Sequence, residues 1–202
     1  MNSISQIWGT EAAERELSFP CDRLITQPDE TLFRGITINA PTEIVFRWLC
    51  QMRLAPYSYD WLDNGGRRSP RELTAGLDQL ARGQTVMRIF HLVDFTLDQH
   101  LTIRLKPHTP ASKMFGDVAV SYTLIPRSPE SCRLVVKLIV RHPAGIWGQA
   151  MRFFLRWGDL IMMRRQLLNF KTLAERSAAS TVVSQPPYGI VKNRTDHERR
   201  LG

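Results

Sequence analysis

Apolar residues recur at two different periods along this chain, and the changes of period mark its elements. In "TLFRGITI", Leu32, Arg34, Ile36 and Ile38 share one face of a half-buried strand, an apolar face broken only by Arg34. The next segment, "NAPTEIVFRWLCQM", switches to helical spacing, with Ile44, Val45, Trp48, Leu49 and Met52 on one stripe. Pro41 suits the first turn of that helix and Glu43 its positive end. Farther on, "PYSYDWLDNGGRRSP" alternates Tyr57, Tyr59 and Trp61, which predicts a second strand with Ser58 and Asp60 facing away, and a turn over 63–66. Ser69 to Glu72 then has capping-box spacing and predicts a short helix presenting Leu73, Leu77 and Leu80, although Gly76 weakens it.

Four period-two segments follow at 84–95, 99–106, 117–125 and 132–141, separated by turn-like sequence. In the first, alternation puts Met87, Ile89, His91, Val93 and Phe95 on one face and Val86, Arg88, Phe90, Leu92 and Asp94 on the other. The apolar sets of the others are Leu101, Ile103 and Leu105; Val118, Val120, Tyr122 and Leu124; and Leu134, Val136, Leu138 and Val140. A long helix from about 143 to 178 closes the pattern. From 146 to 163 its only charges are Arg152, Arg156 and Asp159, which lie on a single narrow stripe. The run is too interrupted to span a membrane, so it reads as a helix buried on most sides, or as one with a second apolar face for an interface or a lipid surface. Phe153, Trp157 and Leu160 would carry such a peripheral membrane contact. Residues 1–29 lack a clear period and read as an extended arm with short helical pieces, and 179–202 as a disordered tail.

The element order predicts an α+β domain over 30–178, in which an antiparallel sheet of about seven strands buries one face under a single long C-terminal helix. Composition fits this picture, with 43% hydrophobic and 23% charged residues. The net charge of +8 raises nucleic acid or an anionic membrane as partners. Arginine outnumbers lysine 22 to 5, the positive charges are scattered, and the first 29 residues are net acidic, all of which argue against nucleic acid. Cys21, Cys50 and Cys132 are odd in number and far apart, which argues against a disulfide framework and for a reducing compartment. No secretory signal pattern is visible at the start, so the expectation is a cytoplasmic protein.

Catalytic motifs are weak. In "HLVDFTLDQH", His91 and Asp94 fall on opposite faces of a strand, Asp98 in a turn and His100 on a polar face, so no metal site is expected. There is no glycine-rich phosphate loop, no zinc spacing and no nucleophile elbow. Ser58 lacks a base partner, and Cys50, beside Trp48 and Leu49, reads as a buried inert thiol. No cofactor is expected. The best acid–base candidates are His91, on the apolar face, and Tyr59.

The segments "ITINAPTEIVFRWLCQM", "YSYDWLDN", "SCRLVVKLIVRHP" and "WGDLIMMRRQLLNFKTLAE" together resemble the START-like superfamily (SRPBCC, polyketide cyclase-like), in particular a bacterial subgroup with a "YSYDWL" stretch. The resemblance implies a helix-grip fold, with a curved antiparallel sheet wrapped on the C-terminal helix and one or two short helices after the first strands. It also implies a cavity between them for a lipid, polyketide or similar hydrophobic molecule. On that reading Tyr57, Tyr59, Trp61, Met87, Ile89, His91, Ile103, Val120, Tyr122, Met151 and Phe154 line the cavity, with Arg67 and Arg68 at its rim. The expected function is binding or carriage of a hydrophobic small molecule. The alternative is a cyclase or dehydratase using His91 or a pocket tyrosine as acid or base. Oligomeric state is left open.

Overall fold

The computed structural model describes residues 3–59 and 65–183, with the side chains of 146–151, 154 and 181–183 outside that description. Seven strands form one sheet in the order β1-β2-β7-β6-β5-β4-β3. They are β1 (Ile7–Trp8), β2 (Glu30–Ile38), β3 (Thr85–Val86), β4 (Phe90–Thr96), β5 (His100–Leu105), β6 (Asp117–Ser128) and β7 (Ser131–Arg141). All pairings are antiparallel except that of β1 with β2. The helices are α1 (Ala12–Arg15), α2 (Thr42–Cys50), α3 (Pro110–Phe115) and the 38-residue α4 (Ile146–Val183).

The inner face of the sheet is the one that alternation assigns. Register places Ile103 opposite Val120 and Val120 opposite Leu138, so their side chains stack in one row across three strands. These rows, together with Val45, Trp48 and Leu49 of α2, meet Met163, Leu167, Phe170 and Leu173 of α4 in one core. Each such side chain contributes about 1.5–3 kcal/mol by leaving water. The Trp48 indole N–H also donates to Ser177 Oγ at 3.1 Å, tying α2 to the end of α4.

Several expectations need correction. Residues 56–59 form no strand: their carbonyls turn to side chains of α4, with Gln166 Nε2 donating to Pro56 O (2.5 Å) and Asn169 Nδ2 to Tyr57 O (2.7 Å). Tyr57 takes a left-handed backbone (φ 59°), and Ser58, expected to face away, is buried. Asp60 and Trp61 lie outside the described residues. The short helix after Ser69 does not form either. The Gln51 amide accepts from Thr74 N–H and donates to Thr74 O, and Arg53 donates to Leu77 O, which replaces helical bonding while Leu73, Leu77 and Leu80 still pack on the core. Pro41 caps α2 from outside rather than sitting in its first turn. A helix, α3, occupies the connection expected to be a turn before β6, started by Thr109 whose side chain accepts from Ser112 N–H.

The segment 84–95 is two strands. Met87 and Arg88 adopt left-handed φ of 45° and 64°, and the β4–β5 register shifts between Leu92 and Asp94. Both breaks change which side chains face inward. Phe90, Leu92 and Phe95 sit opposite the buried Leu105, Ile103 and Leu101, whereas His91 sits opposite Arg104 on the outer face.

Residues of the 3–29 segment pack against the sheet. Phe19, Cys21 and Ile25 pack on Ala119, Val135 and Ile139, a second small core on the outer face of the sheet. Gly9 (φ 73°) lies so close to Gly35 that a Cβ there would overlap Gly35 O, which lets β1 pair with β2. The Glu14 carboxylate, buried beside the sheet, accepts from Arg133 Nε (2.6 Å) and Nη2 (2.8 Å).

Candidate functional site

The space between the inner face and α4 is where the expected ligand-lining residues should converge. Tyr57, Met87, Ile103, Val120 and Tyr122 do converge there. The Tyr57 ring packs edge-on against Trp48 (centroids 6.1 Å) and tilted against Phe170 (5.4 Å), within the buried core. Tyr122 is fully buried and donates to Gln166 Oε1 at 2.9 Å, with Met163 Sδ at 3.8 Å. Burial pushes its phenol well above the ordinary range, the Asp159 charge adds to this, and the Gln166 bond offsets only part of it. Tyr59 is half-buried next to this region. Arg67 and Arg68 are exposed.

His91 and Ile89 are not part of that set. Ile89 is exposed, and His91 lines a hollow of about 680 Å³ on the outer side together with Arg104, His108, Asp117 and Arg141. Burial and then the charges of Arg104 and Lys106 lower its pKa, so the imidazole is neutral near pH 7. The sheet separates it from the tyrosines it was expected to serve. Trp61 lies outside the described residues; Met151 and Phe154 are on α4, but their side chains are outside the description. Among the described residues, no group of three or more His, Cys, Asp or Glu side chains is placed to hold a metal.

Gln166 joins the two halves of this region. Its amide accepts from Tyr122 and donates to Pro56 O, with the sulfur of Met87 at 3.5 Å. Alternation could not point to it, because a glutamine in an otherwise apolar helix usually marks the solvent side.

The two halves of α4 meet the sheet differently. Leu167, Phe170, Leu173 and Ala174 seal the end nearest α2. Toward its start, α4 is held instead by charges: Arg156 pairs with the buried Glu30, Asp159 Oδ2 lies 2.8 Å from Arg34 Nη2, and Arg152 donates to Asp29 O at 3.2 Å. The three-charge stripe therefore faces the sheet, where Arg34 interrupts the apolar face of β2. Glu30 is also within 3.1 Å of His142 Nε2. Where α3 touches α4, Phe115 and Leu155 remain only partly buried against the core, as does Phe90 of β4.

Cys21, Cys50 and Cys132 are all buried, and burial raises their thiols to about 11, 12 and 11. Native protein at mildly alkaline pH (about 8) should therefore leave all three unreacted with a chromogenic disulfide reagent, and denatured protein should release all three. Stoichiometric labelling of the native fold would contradict this burial.

A seven-stranded, almost wholly antiparallel sheet, crossed on one face by a long C-terminal helix and carrying short helices between strands, is the helix-grip arrangement. The fold is START-like. No family model matches the chain, and no curated protein matches it. Solved structures similar to it include a protein of Mesorhizobium loti (15% identity, TM-score 0.47, covering 73% of this chain and 98% of that one). Others are a START superfamily protein of Mycobacterium smegmatis (12%, 0.41, 75% and 98%) and the Zhui aromatase/cyclase of a Streptomyces species (15%, 0.44, 76% and 95%). Similarity at that level carries nothing about ligand or chemistry, so the START-like description rests on the chain's own topology.

Proposed function

We propose that this protein binds a hydrophobic small molecule, of lipid or polyketide type, between the inner face of its sheet and the first half of α4. The observation that carries the reading is the incomplete burial of large apolar side chains where α3 touches α4. Phe115 of α3 and Leu155 of α4 pack on the core yet stay partly exposed, as does Phe90 of β4. An apolar ligand inserted there would complete the burial, at about 25 cal/mol per Å² of apolar surface removed from water. The buried hydroxyl and amide of Tyr122 and Gln166 are already paired to each other, so ligand orientation would fall to groups nearer the mouth.

The cyclase alternative gains no support from the described residues. His91 lies on the outer face, and the Tyr122 phenol, raised by burial, stays protonated, which leaves Tyr59 as the tyrosine such chemistry would use.

Native mass spectrometry of freshly purified protein, followed by displacement of a fluorescent fatty acid, tests the binding. The expected result is a bound apolar species and a measurable affinity that Leu155→Trp, which fills the mouth, weakens about tenfold. Protein that is ligand-free and takes up no fatty acid, sterol or aromatic polyketide probe overturns the reading.

A further inference from the structure

The first half of α4 has its charges turned in and its bulk turned out. Phe153, Trp157, Ile161 and Leu168 recur at helical spacing and leave 63%, 41%, 54% and 38% of their surfaces exposed. They make a stripe about 22 Å long along the helix. At ordinary side-chain sizes the four expose on the order of 400 Å² of largely apolar surface, as much as the largest patch on a typical monomer and commonly a functional one. The inward pairing of Arg156 and Asp159 with β2 fixes the helix in this rotation, so the outward stripe is built into the fold.

The electrostatics select what covers the stripe. Arg164 and Arg165 are exposed next to it, with the Arg164 guanidinium over the Trp8 ring. Asp159 is the only acidic residue between 146 and 174, and it faces Arg34. The chain as a whole is +8. A second copy would bring this charge against itself, and a stable dimer needs about 800 Å² from each partner, roughly twice what the stripe offers. An anionic bilayer takes aromatic and aliphatic side chains at its interface and attracts flanking arginines.

We propose that α4 docks the protein on anionic membrane surfaces, with Phe153, Trp157, Ile161 and Leu168 entering the interfacial layer and Arg164 and Arg165 contacting lipid phosphates. No helix among the described residues is long and apolar enough to cross a membrane, so the contact is peripheral. The proposal stands independently of any ligand held under α4.

Sedimentation with vesicles of phosphatidylglycerol and phosphatidylcholine in equal parts tests it, with phosphatidylcholine vesicles alone as control. The full-length protein should bind the mixed vesicles at low salt and lose affinity severalfold at high salt. Phe153→Ser/Trp157→Ser/Ile161→Ser should bind about tenfold more weakly, with circular dichroism and thermal midpoint unchanged. Ile161→Ser alone, a gentler change, should weaken binding in the same direction. Arg164→Glu/Arg165→Glu should lose the preference for the anionic lipid. No binding by the parent protein, or equal binding by the apolar variants, overturns the proposal. So does a parent dimer that the triple variant converts to monomer, which would assign the stripe to a second copy.

Discussion

Glu14→Ala is expected to lower the free energy of unfolding by about 3–5 kcal/mol, because it strands a buried guanidinium. Arg133 donates two bonds to the Glu14 carboxylate, and among the described residues its other hydrogen bonds go to Gly9 O and Thr37 Oγ1. With the carboxylate gone, Arg133 stays buried on the outer face of the sheet with only the weaker charge of Glu11 to offset it. Burial by itself would raise the Glu14 pKa, but the hydrogen bonds from Arg133 and from Glu11 N–H, with the charges of Arg133 and Arg127, bring it below its ordinary value of 4.5. A carboxyl depressed in the folded state stabilises fully above its ordinary pKa, and that contribution disappears as pH falls through the folded value. Parent protein should therefore lose stability in acid below about pH 4.5, and Glu14→Ala should lose less of what remains. Denaturant unfolding at neutral and acid pH measures both. An alanine variant within about 1 kcal/mol of the parent at neutral pH, well below that range, would show that the pair is not structural.

Arg34→Met is expected to cost a similar amount, about 3–5 kcal/mol at neutral pH, for two connected reasons. The guanidinium is the partner of Asp159, and it also donates to Ser5 O (2.8 Å) and Gln6 O (2.9 Å), so its loss frees both the first half of α4 and the edge strand β1. Burial pushes the Asp159 carboxyl above its ordinary value of 3.8, the Arg34 charge pulls it partly back, and the neighbouring Glu30 raises it again. A carboxyl raised in the fold stabilises below its ordinary pKa, and that stability is lost as pH rises through the folded value. Without Arg34 the pull downward is gone, so the cost of Arg34→Met should be greatest at neutral pH and shrink in acid. The double variant Arg34→Met/Asp159→Leu should recover much of the loss, since an apolar pair replaces a half-broken ionic one. A double variant as unstable as the sum of the singles would show that the ion pair is not the origin of the effect.

Much of the sheet was legible from alternation alone. In β5, and in β6 and β7 up to the register shift at Pro126–Ser128, the period of two is unbroken, and the apolar sets of those strands are the ones that pack under α4. Where alternation fails, a backbone event is responsible. The left-handed pair Met87–Arg88 reverses the expected faces from Ile89 to Leu92, and with them the placement of His91, and the register shift after Leu92 brings Phe95 back to the face expected for it. Neither Met nor Arg announces positive φ in sequence, so no local signal marked the break.

The aromatic stretch around Tyr57 misleads for a related reason. Its alternation is real, but Gln166 and Asn169, more than a hundred residues later, take up the carbonyls a strand would have used. Coverage of the outer face was equally invisible. Thr102 and Ser121 lie off the apolar sets of their strands, yet they are buried and bonded to each other at 2.9 Å, with Cys21 N–H donating to Ser121 Oγ.

Local sequence by itself determined the class and order of the longer elements and the inner faces of the regular strands, because strand and helix periods depend only on near neighbours in the chain. It also marked the three charges of the long helix as one stripe. Which way that stripe turned was decided only by the tertiary structure. Helical periodicity fixes relative angles around an axis, while the absolute rotation of α4 depends on what it meets, and here Glu30 and Arg34 of β2 draw the charges inward and leave Phe153, Trp157 and Ile161 facing out.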